Sequence, residues 1–218
     1  SILQNITGIE FVYFSKKGFV DKNSIKKPYD IYSLYFDSPD FSFYTDKVEG
    51  YYQRQKVRIR FYEGGSIAAE NKKFFLEIKH KNLDRIHKER IPIDYSGVKN
   101  FLNGSLRDIS SNDEFMGRME NLNNENNLEP KVSVRYKRLS FLDKIINFKV
   151  SFDTELEAAY PSDFLEECSY KPILSGSAVM EIKFDGLLPD YAADIIKKYN
   201  LNRQAFSKYC HAVSKLYN

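Results

Sequence analysis

The sequence predicts an α+β fold, a mostly antiparallel β-barrel with covering helices. Strand follows strand from about residue 29 to 185 with little helix between, which favours antiparallel pairing. Most of these strands alternate an apolar face with a basic one. Amphipathic segments near 96–120 and 189–217 supply helices to lie on a sheet. At 218 residues, 42% of them hydrophobic, the chain suits one domain, 1–218, with a substantial core.

Taken in order, "YDIYSLYFDSPDFSFY" reads as a strand ended by the Asp37-Ser38-Pro39-Asp40 turn. "KVRIRFY" is a second strand, stopping at Gly64-Gly65, and "FFLEIKHK" and "RIHKERIPI" follow. After the interrupted helical pattern of 96–120, the asparagine-rich "NLNNENNLEP" reads as a loop. "KVSVRYKRLSF", "NFKVSFDTELEA" and "AVMEIKFDG" are further strands. Pro189 suits the first turn of a helix through "DYAADIIKKYN". The last helix, "RQAFSKYCHAVSKLYN", carries Phe206, Cys210, Val213 and Leu216 at helical spacing.

The net charge of +3 says little; where the charges are sorted matters more. Two cysteines, Cys168 and Cys210, are too few for a disulfide framework and point to a reducing, cytoplasmic setting. The three histidines show no zinc spacing with them. No apolar run of about 18 residues is present, so no membrane segment is expected.

"FFLEIKHK" shows how the charges are sorted. Extended, it sends Phe75, Glu77, Lys79 and Lys81 to one face and Phe74, Leu76, Ile78 and His80 to the other. The same alternation groups Lys56, Arg58 and Arg60; Lys88 and Arg90; Lys149, Ser151, Asp153 and Glu155; and Val179, Glu181 and Lys183. In "KVSVRYKRLSF" strict alternation sends Arg135 and Arg138 to opposite sides unless a bulge intervenes. One such face is an ordinary solvated surface; recurrence over several strands, with few carboxylates, suggests a function. If these faces look outward, the apolar faces meet in a core. If they look inward, they line a basic tunnel whose apolar exterior needs helical cover, and the pattern favours this arrangement.

Crowded guanidinium and ammonium groups repel one another when empty, so they call for an anion of high charge density. Arginine grips phosphate oxygens through two donors and lysine adds a point charge, which suits a polyphosphate. Glu77, Glu181 and Asp153 are then candidate ligands for Mg²⁺ or Mn²⁺, with an internal salt bridge, Glu77 to Lys79 or Glu181 to Lys183, as the competing reading.

From "SLYFDSPDF" through "KVRIRFY", "FLEIKHK", "HKER", "VRYKRLSF", "VSFDTEL" and "MEIKFDG" to "RQAFSKY", the chain resembles the vacuolar transporter chaperone (VTC) domain. That domain is a polyphosphate polymerase module of the triphosphate tunnel metalloenzymes, the CYTH-like superfamily. The resemblance implies phosphate contacts from Arg58, Arg60, Lys79, Lys88, Arg90, Arg138, Lys149, Lys183 and Lys208, with Ser207 beside Lys208 at the tunnel wall. It ranks Arg138 above Arg135, makes Glu181 the leading metal ligand and Glu77 a second. It implies use of ATP with Mn²⁺ or Mg²⁺, the terminal phosphoryl group passing to a growing polyphosphate. It also places the family's first strand upstream of residue 1, with nothing in "SILQNITGIEF" standing in for it. Lys149 stands where relatives carry arginine, which keeps the charge and loses the two-pronged grip. Two other activities fit the same residues: hydrolysis of tripolyphosphate or a nucleoside triphosphate, and polyphosphate binding without catalysis. Nucleic acid is not an expected partner, because no aromatic stacking platform accompanies the basic faces.

Overall fold

A computed structural model of the chain describes residues 27–63, 72–83, 85–106, 109, 112–143, 148–164, 169–184 and 186–217. The expectations for "SILQNITGIEF", the Gly64-Gly65 stop and Cys168 lie outside those residues. The described strands are β1 (Tyr29–Asp37), β2 (Gln53–Glu63), β3 (Phe74–Asn82), β4 (Arg85–Ile93), β5 (Glu129–Asp143), β6 (Phe148–Ala159), β7 (Lys171–Leu174) and β8 (Val179–Lys183). The helices are α1 (Ser42–Val48), α2 (Tyr95–Leu102), α3 (Asp113–Asn126), α4 (Asp190–Lys198) and α5 (Lys208–Tyr217).

The strands form one sheet in the order β4-β3-β2-β1-β5-β6-β7, with β8 paired to β6 off that path. β1–β2, β2–β3, β3–β4 and β6–β8 are antiparallel. The α+β class is therefore right, and the expected barrel is not shown: among the described residues β4 and β7 end the path, and closure needs a bond between the end strands. The chain divides into two compact units. One includes Tyr136–Leu156 and Leu174–Phe206; the other comprises Asp30–Arg135, Glu157–Ile173 and Ser207–Asn218.

In the larger unit, alternation puts Leu34 and Phe36 of β1, Val57, Ile59 and Phe61 of β2, and Phe74, Leu76 and Ile78 of β3 into one buried cluster. Two helices close over that face with Val98 and Phe101 of α2 and with Phe115, Met119 and Leu122 of α3. Phe36 and Phe101 meet edge to face at 4.7 Å between ring centroids. Each such side chain contributes about 1.5–3 kcal/mol by leaving water. Both helices begin at capping side chains: Asp94 Oδ1 accepts from the Gly97 N–H at 2.7 Å and Asn112 Oδ1 from the Phe115 N–H at 3.0 Å.

The asparagine-rich stretch is largely helix, which corrects the loop expected there. Burial of Met119 and Leu122 carries α3 through Asn126, and Asn127 ends it in the left-handed conformation at φ 49°. The last helix is shorter than expected and buries Tyr209, Ala212 and Val213 instead of the Phe206 and Cys210 stripe. Its anchor is the Tyr209 hydroxyl, which donates to the buried Asp37 carboxylate. Asp37 also accepts the backbone N–H groups of Ser38, Phe43 and Tyr44 at 2.8–2.9 Å, so one carboxylate ties the end of β1 to the start of α1 and to α5.

In the smaller unit, the second half of β5 runs beside the first half of β6, and β8 pairs with Lys149–Asp153. Phe148 packs edge-on against Tyr191 of α4 at 5.7 Å. Glu155 adopts φ 51° inside β6, a left-handed residue that interrupts the alternation. Before it, Ser140 bonds Ser151 and Arg138 bonds Asp153; at it, Lys137 bonds Glu155. The cross-strand pairing has moved on by one residue. Glu155 therefore does not share a face with Lys149, Ser151 and Asp153 as strict alternation predicts, because the bulge turns it to the other side.

Candidate functional site

The face of the larger unit opposite α2 and α3 carries the basic side chains, and the strand register sets them in rows. Arg60 stands between Ser33 and Phe75, Arg58 between Tyr35 and Glu77, and Arg90 beyond Glu77. The next row is Lys56, Lys79 and Lys88, and the one after it begins with Arg54 and Lys81. Like charges directly opposite destabilise a sheet, so this face is arranged against its own stability when empty.

Glu77 is the carboxylate at the centre of this set, with a side chain only 1% exposed. Its Oε2 accepts from Arg58 Nε at 2.6 Å, and its Oε1 lies 2.8 Å from Lys88 Nζ. Burial acts to raise the carboxyl, but Arg58, Arg60 and Lys88 outweigh it and hold it down at about 2. Tyr35 supports Arg58 from the other side, its hydroxyl accepting from Nη1 at 3.1 Å. Burial favours the neutral phenol, yet Arg58, Arg60 and Lys56 outweigh it and bring the group down to about 8. Arg60 donates from Nε to Ser33 Oγ at 3.0 Å.

Lys56 donates to Ser207 Oγ at 2.7 Å, and burial, outweighing the opposing pull of Tyr35 and helped a little by Lys79 and Arg58, pushes its ammonium down from the ordinary lysine value. Ser207 also accepts the Cys210 N–H at 3.3 Å, which links it to the first turn of α5, where Lys208 is half-buried. Arg58, Arg60, Lys79, Lys88, Arg90, Glu77 and Ser207 therefore belong to one constellation, with Lys208 at its α5 side. Sequence reading placed Lys56 on the basic face without counting it among the phosphate contacts, and it left out Tyr35 and Ser33. The alternation of β1 and β2 already placed them on this face, but a lone tyrosine or serine carries no charge pattern to single it out.

In the smaller unit, Arg138 grips Asp153 with two donors, Nη2 reaching Oδ2 at 2.7 Å, and Asp153 is fully buried. Arg138 also approaches Glu181 at 3.4 Å, and Lys183 approaches it at 3.3 Å. Register sets Lys149 opposite Lys183 and Ser151 opposite Glu181. Tyr136, two residues before Arg138, lies with its ring 5.4 Å from the guanidinium. Arg135, in the larger unit, pairs with Glu157 at 2.6 Å and lies over the Tyr170 ring at 4.2 Å.

Among the described residues no three His, Cys, Asp or Glu side chains cluster as a metal cage. A divalent ion here fits only as a partner of one carboxylate plus phosphate oxygens, the arrangement Mg²⁺ tolerates well. Glu181 suits that part: its side chain is 40% exposed, and it lies 3.4 Å from Arg138 and 3.3 Å from Lys183. Asp153 is committed to Arg138, and Glu77 to Arg58 and Lys88.

A Bacillus halodurans protein proposed to be an adenylate cyclase shares 12% identity over 88% of this chain and 83% of its own, with a TM-score of 0.49. A Pyrococcus horikoshii protein shares 13% identity over 84% of this chain and 83% of its own, with a TM-score of 0.37. No curated protein matches the chain. The family profile described as the VTC domain matches residues 8–217, nearly the whole sequence, and the chain belongs to that family.

Proposed function

We propose that the chain is a metal-dependent phosphotransferase that moves the terminal phosphoryl group of ATP onto a growing inorganic polyphosphate. The observation that carries this reading is VTC family membership over residues 8–217. A basic face built around one buried carboxylate supports it. Phosphoryl transfer needs positioning and charge neutralisation more than a covalent nucleophile.

Roles follow unit by unit. Arg58 and Arg60 hold the donor phosphates, with Glu77, Tyr35 and Ser33 fixing the two guanidinium planes. Lys79, Lys88 and Arg90 supply further positive charge, and Ser207 and Lys208 border them. Arg138 and Lys149 are proposed as catalytic cations and Lys183 as a phosphate contact; Asp153 locks Arg138 in place. Arg135 is not assigned a phosphate contact. Glu181 holds Mn²⁺ or Mg²⁺, which when bound neutralises charge on the phosphate oxygens. The bond from the terminal phosphorus to its bridging oxygen breaks, a bond to the terminal oxygen of the acceptor chain forms, and ADP leaves.

Incubation with ATP and Mn²⁺, read on a gel for long polyphosphate, tests the reading. Chain growth supports it. Release of orthophosphate without chain growth replaces it with hydrolysis, and thermal stabilisation by polyphosphate without turnover replaces it with binding alone.

A further inference from the structure

The basic face does not stop at the residues assigned to the donor phosphates. Beyond Arg58, Glu77 and Arg90, the register sets Lys56, Lys79 and Lys88 in one row, and Arg54 opposite Lys81 in the next. Rows on one face are about 7 Å apart along the strand, so Arg54 stands roughly 13 Å from Arg58. That exceeds the reach of a three-phosphate ligand centred on Arg58 and Arg60.

An ordinary solvated lysine row would extend into water and mix with acids. Here Lys56 is half-buried and fastened to Ser207 at 2.7 Å, and Arg54 and Lys81 are half-buried as well. Among the described residues Arg54, Lys56 and Lys81 make no ion pair with a carboxylate. Glu77, the carboxylate at the centre of this face, is taken by Arg58 and Lys88. Burial is the main cause that depresses the Lys56 ammonium, and an anion placed beside it would offset that cost.

We infer that Lys56, Arg54 and Lys81 form a lane for the phosphates of a polyanionic chain beyond its last three, so that Arg54 and Lys81 distinguish long polyphosphate from tripolyphosphate. This rests on the phosphate reading of the same face. The lane places successive cations in steps along the strands, a spacing a repeating anion can follow and a compact one cannot.

The test is calorimetric binding of tripolyphosphate and of long-chain polyphosphate to the full chain and to the double variant Arg54→Gln/Lys81→Gln. The lane predicts that the variant loses about tenfold in affinity for the long chain, the worth of two partly screened charges, and keeps its affinity for tripolyphosphate. The single variant Lys81→Glu gives a second reading in the same direction if the double variant folds poorly. Equal losses for both ligands, or no loss for either, overturn the lane and leave the phosphate reading standing. Binding of neither ligand by the unaltered chain overturns both.

Discussion

Glu77 is the residue on which the basic face depends. With this carboxylate removed, Arg58 and Lys88 stand near each other and near Arg60 without compensation. Glu77→Gln is therefore expected to destabilise the empty protein by about 2–3 kcal/mol in urea unfolding, and saturating tripolyphosphate should recover much of that loss. The pH dependence has a definite sign. The folded carboxyl is held at about 2 against an ordinary 4.5, so its contribution is present above pH 4.5 and fades as pH falls towards 2. The stability gap between the unaltered chain and Glu77→Gln should narrow over that window. Tyr35 gives a matching test at the alkaline end. Its phenol titrates near 8 in the fold against 10.0 free, so the folded state sheds the proton first and gains stability as pH rises from 8 to 10. Tyr35→Phe should lack that gain, roughly 2 kcal/mol, when the two chains are unfolded at pH 7 and at pH 10.

At the scale of elements, the β6 bulge decides which cations share a face. Glu155 is held at φ 51°, where glycine costs nothing and a β-branched residue clashes with its own backbone. Glu155→Gly should change stability by less than about 1 kcal/mol, since it relieves the backbone and loses only an exposed pair to Lys137. Glu155→Val should cost about 1–2 kcal/mol by thermal unfolding. The bulge also marks the limit of what the sequence discloses. Periodicity located β1 to β6, β8 and the apolar stripe of β2 and β3, because a period of two is set by the backbone itself. It missed the change of side at Glu155, because no glycine or asparagine announces the turn. It missed α1 and the true buried side of α5, because both are set by Asp37, a residue 172 positions from Tyr209 in sequence. Tyr209→Phe should therefore cost about 1–3 kcal/mol by leaving Asp37 short of a donor, and should weaken phosphate binding through the Ser207–Lys56 contact carried by the start of α5.

For the whole molecule, a net charge of +3 hides a strong local sorting: apolar side chains of β1 to β4 lie under helices, and Arg and Lys occupy the other face. The most direct test of the central claim, that this basic face is a polyphosphate site, is tripolyphosphate affinity measured across a salt series. The unaltered chain is predicted to bind with affinity that falls steeply as salt rises, and Arg58→Gln/Arg60→Gln to lose about a hundredfold at low salt. Binding that ignores salt, or an affinity the double variant leaves unchanged, would contradict the account.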